Sequence, residues 1–267
     1  MQKNRERKCL AVMLGILCMA GGASAQVLHE ATVVLTSGQQ AQGMVRYLPA
    51  SRNFEIRVGQ ATREIRADDV AQVILTNPPQ QLQAALADVQ QGRYQQAIPV
   101  LSKIVEDYAM FGPDVLAGGA LMRAYMQTGR SGEALRAGET MLRRNPRLER
   151  QASFASVYWE VLLQEERFAG LRSSIQEAIQ SGSRDLAAVG LLRRGDLEMR
   201  EGRAREALVD GYLRVVLLFR DVAAVQPEAL FKAMKAHEGL NEVALAEKWR
   251  QRLLGSFGTS EYAQQLR

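Results

Sequence analysis

From Ala31 to Leu75 the apolar positions recur every second residue. "ATVVLT" sets Val33 and Leu35 against Thr32, Val34 and Thr36, and "NFEIRV" sets Phe54, Ile56 and Val58 against Asn53, Glu55 and Arg57. "GMVRYL", "ATREIR" and "VAQVIL" complete the series, separated by Ser37-Gly38, Pro49-Ala50-Ser51, Gly59-Gln60 and Ala67-Asp68-Asp69. Short alternating runs bounded by turn residues predict about five antiparallel strands. Gly43 inside the second run predicts a bulge or sharp bend. So small a sheet is expected to close into a barrel, because closure removes exposed edges.

Beyond Asn77-Pro78-Pro79 the period becomes helical, and the proline pair marks a domain junction. Five segments then share a pattern. Aligned on the residue where a turn falls, their anchors are Gly92, Gly129, Glu166, Gly202 and Asn241, spaced by 37, 37, 36 and 39 residues. A repeat of that length is the mark of a solenoid. Gly or Asn at the anchor ends one helix in a left-handed conformation. Tyr94 and Phe168, two residues on, fill the wedge between helices, and Ala97, Ala134, Ala207 and Ala246, five on, let the helices approach. Pro146 ends a second helix because proline cannot continue it.

These segments resemble tetratricopeptide repeats, whose "G-x-[YF]-x-x-A" core sits between two helices. The resemblance covers roughly residues 80–267. The third unit departs from it, with Glu166 and Leu171 in place of the glycine and alanine. Trp159 stands where a small residue is usual, only Pro146 fits the closing proline, and the periods exceed the usual length of about 34. The strand region resembles a small SH3-like or Sm-like barrel, a scaffold that implies no activity by itself. The expected fold is mainly α: an α-α superhelix of about five hairpins (78–267) preceded by a small all-β barrel (26–77).

The resemblance also implies a concave surface made by the first helix of each unit. It maps onto Arg123, Met126 and Gln127; onto Glu160, Leu163 and Gln164; onto Asp196, Met199 and Arg200; and onto Lys235 and Glu238. These residues are mixed in sign and lack a carboxylate clamp of Lys, Asn and Arg. They suit an extended peptide or a helix, and equally a solvated helix surface.

The N-terminus changes how the charge is understood. Lys3, Arg5, Arg7 and Lys8 precede an apolar run from Leu10 to Ala20 and the small residues Ala23-Ser24-Ala25. That order predicts a secretory signal cleaved after Ala25, with a run too short to anchor the chain in a bilayer. Removing residues 1–25 takes away four basic residues and one acid, so the formal charge falls from +5 to +2. A nucleic-acid partner thereby loses its compositional support. Both cysteines, Cys9 and Cys18, leave with the signal, and no disulfide or thiol chemistry is expected of the mature chain. Lipidation at Cys18 competes less well, because the bulky Leu17 beside it departs from a lipobox.

The mature chain has two histidines, His29 and His237, in different predicted domains. No metal-ligand, nucleophile-elbow or phosphate-loop motif appears, so no metal, cofactor or catalytic residue is assigned. The clusters "RRNPRLER" and "RRGDLEMREGRAR" are interrupted by acids and suit a salt-bridged, solvated surface. The expectation is an exported, non-enzymatic adaptor of a bacterial envelope, periplasmic or secreted, that binds a protein or peptide. Two alternatives remain: an exported enzyme with an unrecognised site, for instance around His237 and Glu238, or a nucleic-acid binder acting through the barrel.

Overall fold

The computed structural model describes residues 27–267. The predicted signal segment, with Cys9, Cys18 and the cleavage expected after Ala25, lies outside the described residues.

Strands form where the period of two predicts them: β1 (His29–Leu35), β2 (Gln40–Leu48), β3 (Asn53–Val58), β4 (Ala61–Arg66) and β5 (Val70–Leu75). Every pairing is antiparallel, in the order β4-β3-β2-β1-β5. The barrel does not close. β4 and β5 lie at opposite edges and do not pair with each other, although the single 3-10 turn Ala67–Asp69 joins them in sequence. Gly43 is not a bulge either. It pairs in register with Ala31, and the irregularity falls at Val34/Leu35, between β1 and β5. Gly43 is needed for clearance, because a Cβ there would stand 2.3 Å from the Arg57 carbonyl oxygen.

The connection between two helices covers part of the sheet's apolar face. Ala31, Val33, Val45, Tyr47, Phe54 and Ile56 form a core that also contains Phe111. Phe111 comes from the loop between α2 (Tyr94–Asp107) and α3 (Pro113–Gln127). Met110 (φ 71°) and Gly112 (φ 102°) flank it in left-handed conformations. The buried Asp114 carboxylate holds both, accepting the backbone N–H groups of Met110 at 2.8 Å and Gly112 at 2.9 Å. The ring of His29 stacks on Tyr108 at 4.2 Å, and its Nε2–H donates to the Asp107 carbonyl at 2.8 Å. Further along the junction, Arg147 donates to the Asp68 carbonyl at 3.1 Å.

Five helix pairs follow: α1 (Gln81–Gln90) with α2; α3 with α4 (Ser131–Arg144); and α5 (Ala152–Gln164) with α6 (Phe168–Gln180). In the fourth, α7 (Arg184–Arg200) pairs with a helix running from α8 (Ala204–Glu206) through a π-helical segment (Ala207–Tyr212) into α9 (Leu213–Leu218). The fifth joins α10 (Gln226–Gly239) to α11 (Val243–Phe257), and α12 (Glu261–Gln264) packs on both.

All five anchors adopt positive φ: Gly92 75°, Gly129 72°, Glu166 55°, Gly202 75° and Asn241 58°. Each closes its first helix with the same pair of bonds. At Gly129, the anchor N–H meets the Met126 carbonyl and the next N–H, of Arg130, meets that of Tyr125. The double bond satisfies carbonyls that the helix end leaves free. Side chains reinforce the closure across the same two positions. Arg93 donates to Asp88 at 2.9 Å, Arg130 lies over the Tyr125 ring at 4.7 Å, and Arg203 pairs with Glu198. The last turn reverses the order of base and acid: His237 Nδ1 lies 2.7 Å from the Glu242 carboxylate.

Close approach then sets the packing. Ala97, Ala134 and Ala207 are wholly buried, as is Leu171 in the divergent third unit. A Cβ on Gly138 would stand 2.4 Å from the Tyr158 ring, and one on Gly211 would stand 2.5 Å from the Gly195 Cα. Pro146 opens a 3-10 turn (Pro146–Arg150) directly after α4. The first helices pack in series, α1 on α3, α3 on α5, and α5 on α7. No helix among the described residues is long and apolar enough to cross a membrane.

Candidate functional site

Residues four apart on a helix share a face. On α5 this aligns Ser156, Glu160 and Gln164. On α7 it aligns Asp185, Val189 and Arg193, with Asp196 and Arg200 one and two turns further on. An open cleft of about 370 Å³ lies along this stripe. Glu160, Leu163, Gln164, Asp196, Met199 and Arg200 line it, joined by Tyr212 and Lys232. Six of the positions drawn from the repeat pattern thus meet in one concavity.

The other five do not join it. Met126 is buried in the core between α3 and α5, where its thioether fills space. Gln127 is exposed on the same helix end, and Arg123 belongs to a neighbouring cleft. Lys235 and Glu238 pair with each other at 2.9 Å on an exposed face of α10 and line none of these clefts. His237 is buried rather than set in a polar pocket, and among the described residues its Nε2 has no hydrogen-bond partner.

Beneath the cleft lies a buried charged network, where the interrupted charge pattern of α7 predicts a solvated surface. Arg193 is only 1% exposed. Its Nη1 donates to Asp196 and to Glu228, each at 2.6 Å, and its Nε to the Ser156 carbonyl at 3.3 Å. Lys232 Nζ lies 2.7 Å from both Asp196 and Glu228, and the Tyr212 hydroxyl donates to Asp196 at 2.9 Å. Burial is the largest influence on the Glu228 carboxyl and pushes its pKa up. The charges of Arg193 and Lys232 outweigh it and hold the group well below the usual carboxylate range. Burial likewise opposes the charge of Arg193, but Glu228, Asp196 and Glu160 keep it firmly protonated. Burial and the Asp196 carboxylate push the Tyr212 phenol far up, so it stays a donor.

One signal of this network was present in the sequence. Arg193 falls on the apolar stripe of α7, in step with Leu186, Val189 and Leu197, all buried. A cation in such a stripe needs carboxylates from neighbouring elements, here Glu228 of α10 as well as Asp196 of its own helix. The network ties α5, α7 and α10 together and gives the cleft a rigid floor with its charges already matched.

No group of three or more His, Cys, Asp or Glu residues suited to a metal ion occurs among the described residues. No family model matches the chain, and no curated protein matches its sequence. The functional reading rests on the residues themselves.

Proposed function

We propose that this protein is an exported, non-enzymatic adaptor of the bacterial envelope. Its helix pairs stack as a tetratricopeptide-like superhelix, and the face formed by the first helices binds an extended peptide or a helix of another protein. The observation that carries this reading is the convergence of Glu160, Leu163, Gln164, Asp196, Met199 and Arg200 on one open cleft. Apolar Leu163 and Met199 beside charges of both signs form a surface that accepts an amphipathic segment. The basic, apolar and small-residue order of residues 1–25 supports export.

A photo-crosslinker at Met199, in protein expressed with its own N-terminus, tests the reading. A discrete crosslinked envelope protein is expected, with capture falling about tenfold in a Gln164→Arg/Arg200→Glu variant that melts like the parent. The mature chain should begin at Gln26. Capture that ignores both substitutions, or no capture at all, overturns the proposal.

A further inference from the structure

A second cleft, of about 580 Å³, occupies the same stripe nearer the N-terminal ends of α5, α7 and α10. Its floor includes Val189, Val222 and Val225, all buried. Asp185 and Glu261 stand exposed on its rim, and Tyr262 forms part of its wall. Among the described residues neither rim carboxylate has an ion-pair partner. Arg184, the cation next to Asp185, is held by Asp221 at 2.8 Å and by the Leu218 carbonyl at 3.0 Å. Glu228 also lines the cleft, but Arg193 and Lys232 answer its charge.

Arg123 is the one cation among the residues lining this cleft. With Ser153 it also lines a smaller apolar cleft of about 220 Å³, walled by Leu86, Val115 and the 56% exposed Leu116. The two clefts therefore meet at Arg123.

An apolar floor below an acidic rim fits one kind of side chain well: a long aliphatic stem with a cation at its tip. We infer that the larger cleft holds a lysine or arginine of an extended peptide segment, and that the smaller cleft takes an apolar residue of the same segment. The stem lies on Val189, Val222 and Val225. The head reaches Asp185 and Glu261, and the face of Tyr262 adds a cation–π contact. Arg123, between the clefts, is placed to donate to a main-chain carbonyl of the bound segment. This inference rests on the reading of this face as a protein-binding surface and specifies the chemistry of what it binds.

Fluorescence anisotropy with a labelled probe, Gly-Ser-Leu-Ser-Ser-Lys-Ser-Gly-amide, tests it on the mature chain. Two further probes replace Lys by Glu or Leu by Ser. The Lys probe should bind about tenfold more tightly than the Glu probe, and the preference should shrink with added salt. An Asp185→Asn/Glu261→Gln variant should lose that preference, and Leu116→Ser should lose the preference for Leu over Ser. Both variants change exposed side chains, so unchanged melting curves confirm an intact fold. Equal binding of the Lys and Glu probes, no binding of the Lys probe, or a preference that survives the double variant overturns the inference. So does displacement by spermidine at the same concentration as unlabelled probe, which would make the occupant a free polyamine. Crosslinking at Met199 that survives Asp185→Asn/Glu261→Gln but fails in Gln164→Arg/Arg200→Glu sinks this inference and leaves the adaptor reading standing.

Discussion

The ring of Phe111 meets that of Phe54 edge-on, with centroids 5.8 Å apart. One residue belongs to a loop between helices and the other to β3 of the sheet. Through this contact the helical region supplies part of the sheet's core. Removing the ring leaves a cavity lined by Phe54 and its neighbours, and a Phe-to-Ala truncation of this kind costs about 3–5 kcal/mol. Phe111→Ala should therefore lower the midpoint of denaturant unfolding markedly, and hydrogen exchange should rise first across β1, β2 and β3. A change confined to α2 and α3 would show that the ring only packs its own loop.

Ala134 is fully buried at the point where α3 and α4 approach. Ala134→Leu must part the helices or strain a rotamer, at a cost of about 1–3 kcal/mol. In a serial array the loss falls first on one pair and its neighbours. Exchange should rise around residues 113–144 before the sheet responds. A melting curve unchanged by the substitution would refute close packing there.

The five anchors share one backbone conformation but not one residue type. Gly129 adopts φ 72° without penalty, whereas Glu166 holds φ 55° despite its Cβ. Gly129→Ala should cost about 1 kcal/mol, because a left-handed conformation strains residues with a side chain. Glu166→Gly relieves that strain but enlarges the entropy of the unfolded chain, for a net gain of about 0.5 kcal/mol. Paired thermal melts measure both, and effects of equal sign would contradict the turn geometry.

Glu228 ties stability to acidity. Its folded carboxyl lies below the ordinary value of 4.5, so between the two values the unfolded chain binds more protons than the folded one. The stability it contributes is fully present above about pH 4.5 and is lost as pH falls toward its depressed folded value. Glu228→Gln should be less stable at pH 7, and the gap from the parent should narrow below pH 4. A constant gap across that range would mean that Glu228 is not ionised in the fold.

Much of this architecture was legible in the chain. The strands follow from alternation, because one face of each is buried. The turns follow from the anchors, because a left-handed residue must end each first helix. Glu166 and Asn241 were readable only by their spacing from the glycines. The open sheet was not readable. Phe111 sits in a short loop between helices, and nothing local distinguishes a loop aromatic that covers a distant sheet from one that packs at home. The clefts were legible in part. The repeat resemblance points to six residues of α5 and α7 that line one cleft, but it did not tell that Lys235 and Glu238 satisfy each other. Arg193 was missed because alternating charges along α7 look solvated. Its main partner, Glu228, is 35 residues away and arrives only when α10 folds back.

The position of Phe111 also orders events in time. The strands emerge first during synthesis, yet the ring that completes their core follows the end of β5 by 36 residues. At about 5–20 residues per second, that is a delay of roughly 2–7 s. Throughout it the apolar face of the sheet has no cover of its own. The N-terminal third of the chain is thus a late finisher despite its early start, and whatever holds the nascent chain in that interval must shield β1 to β5 until α2 and its loop arrive.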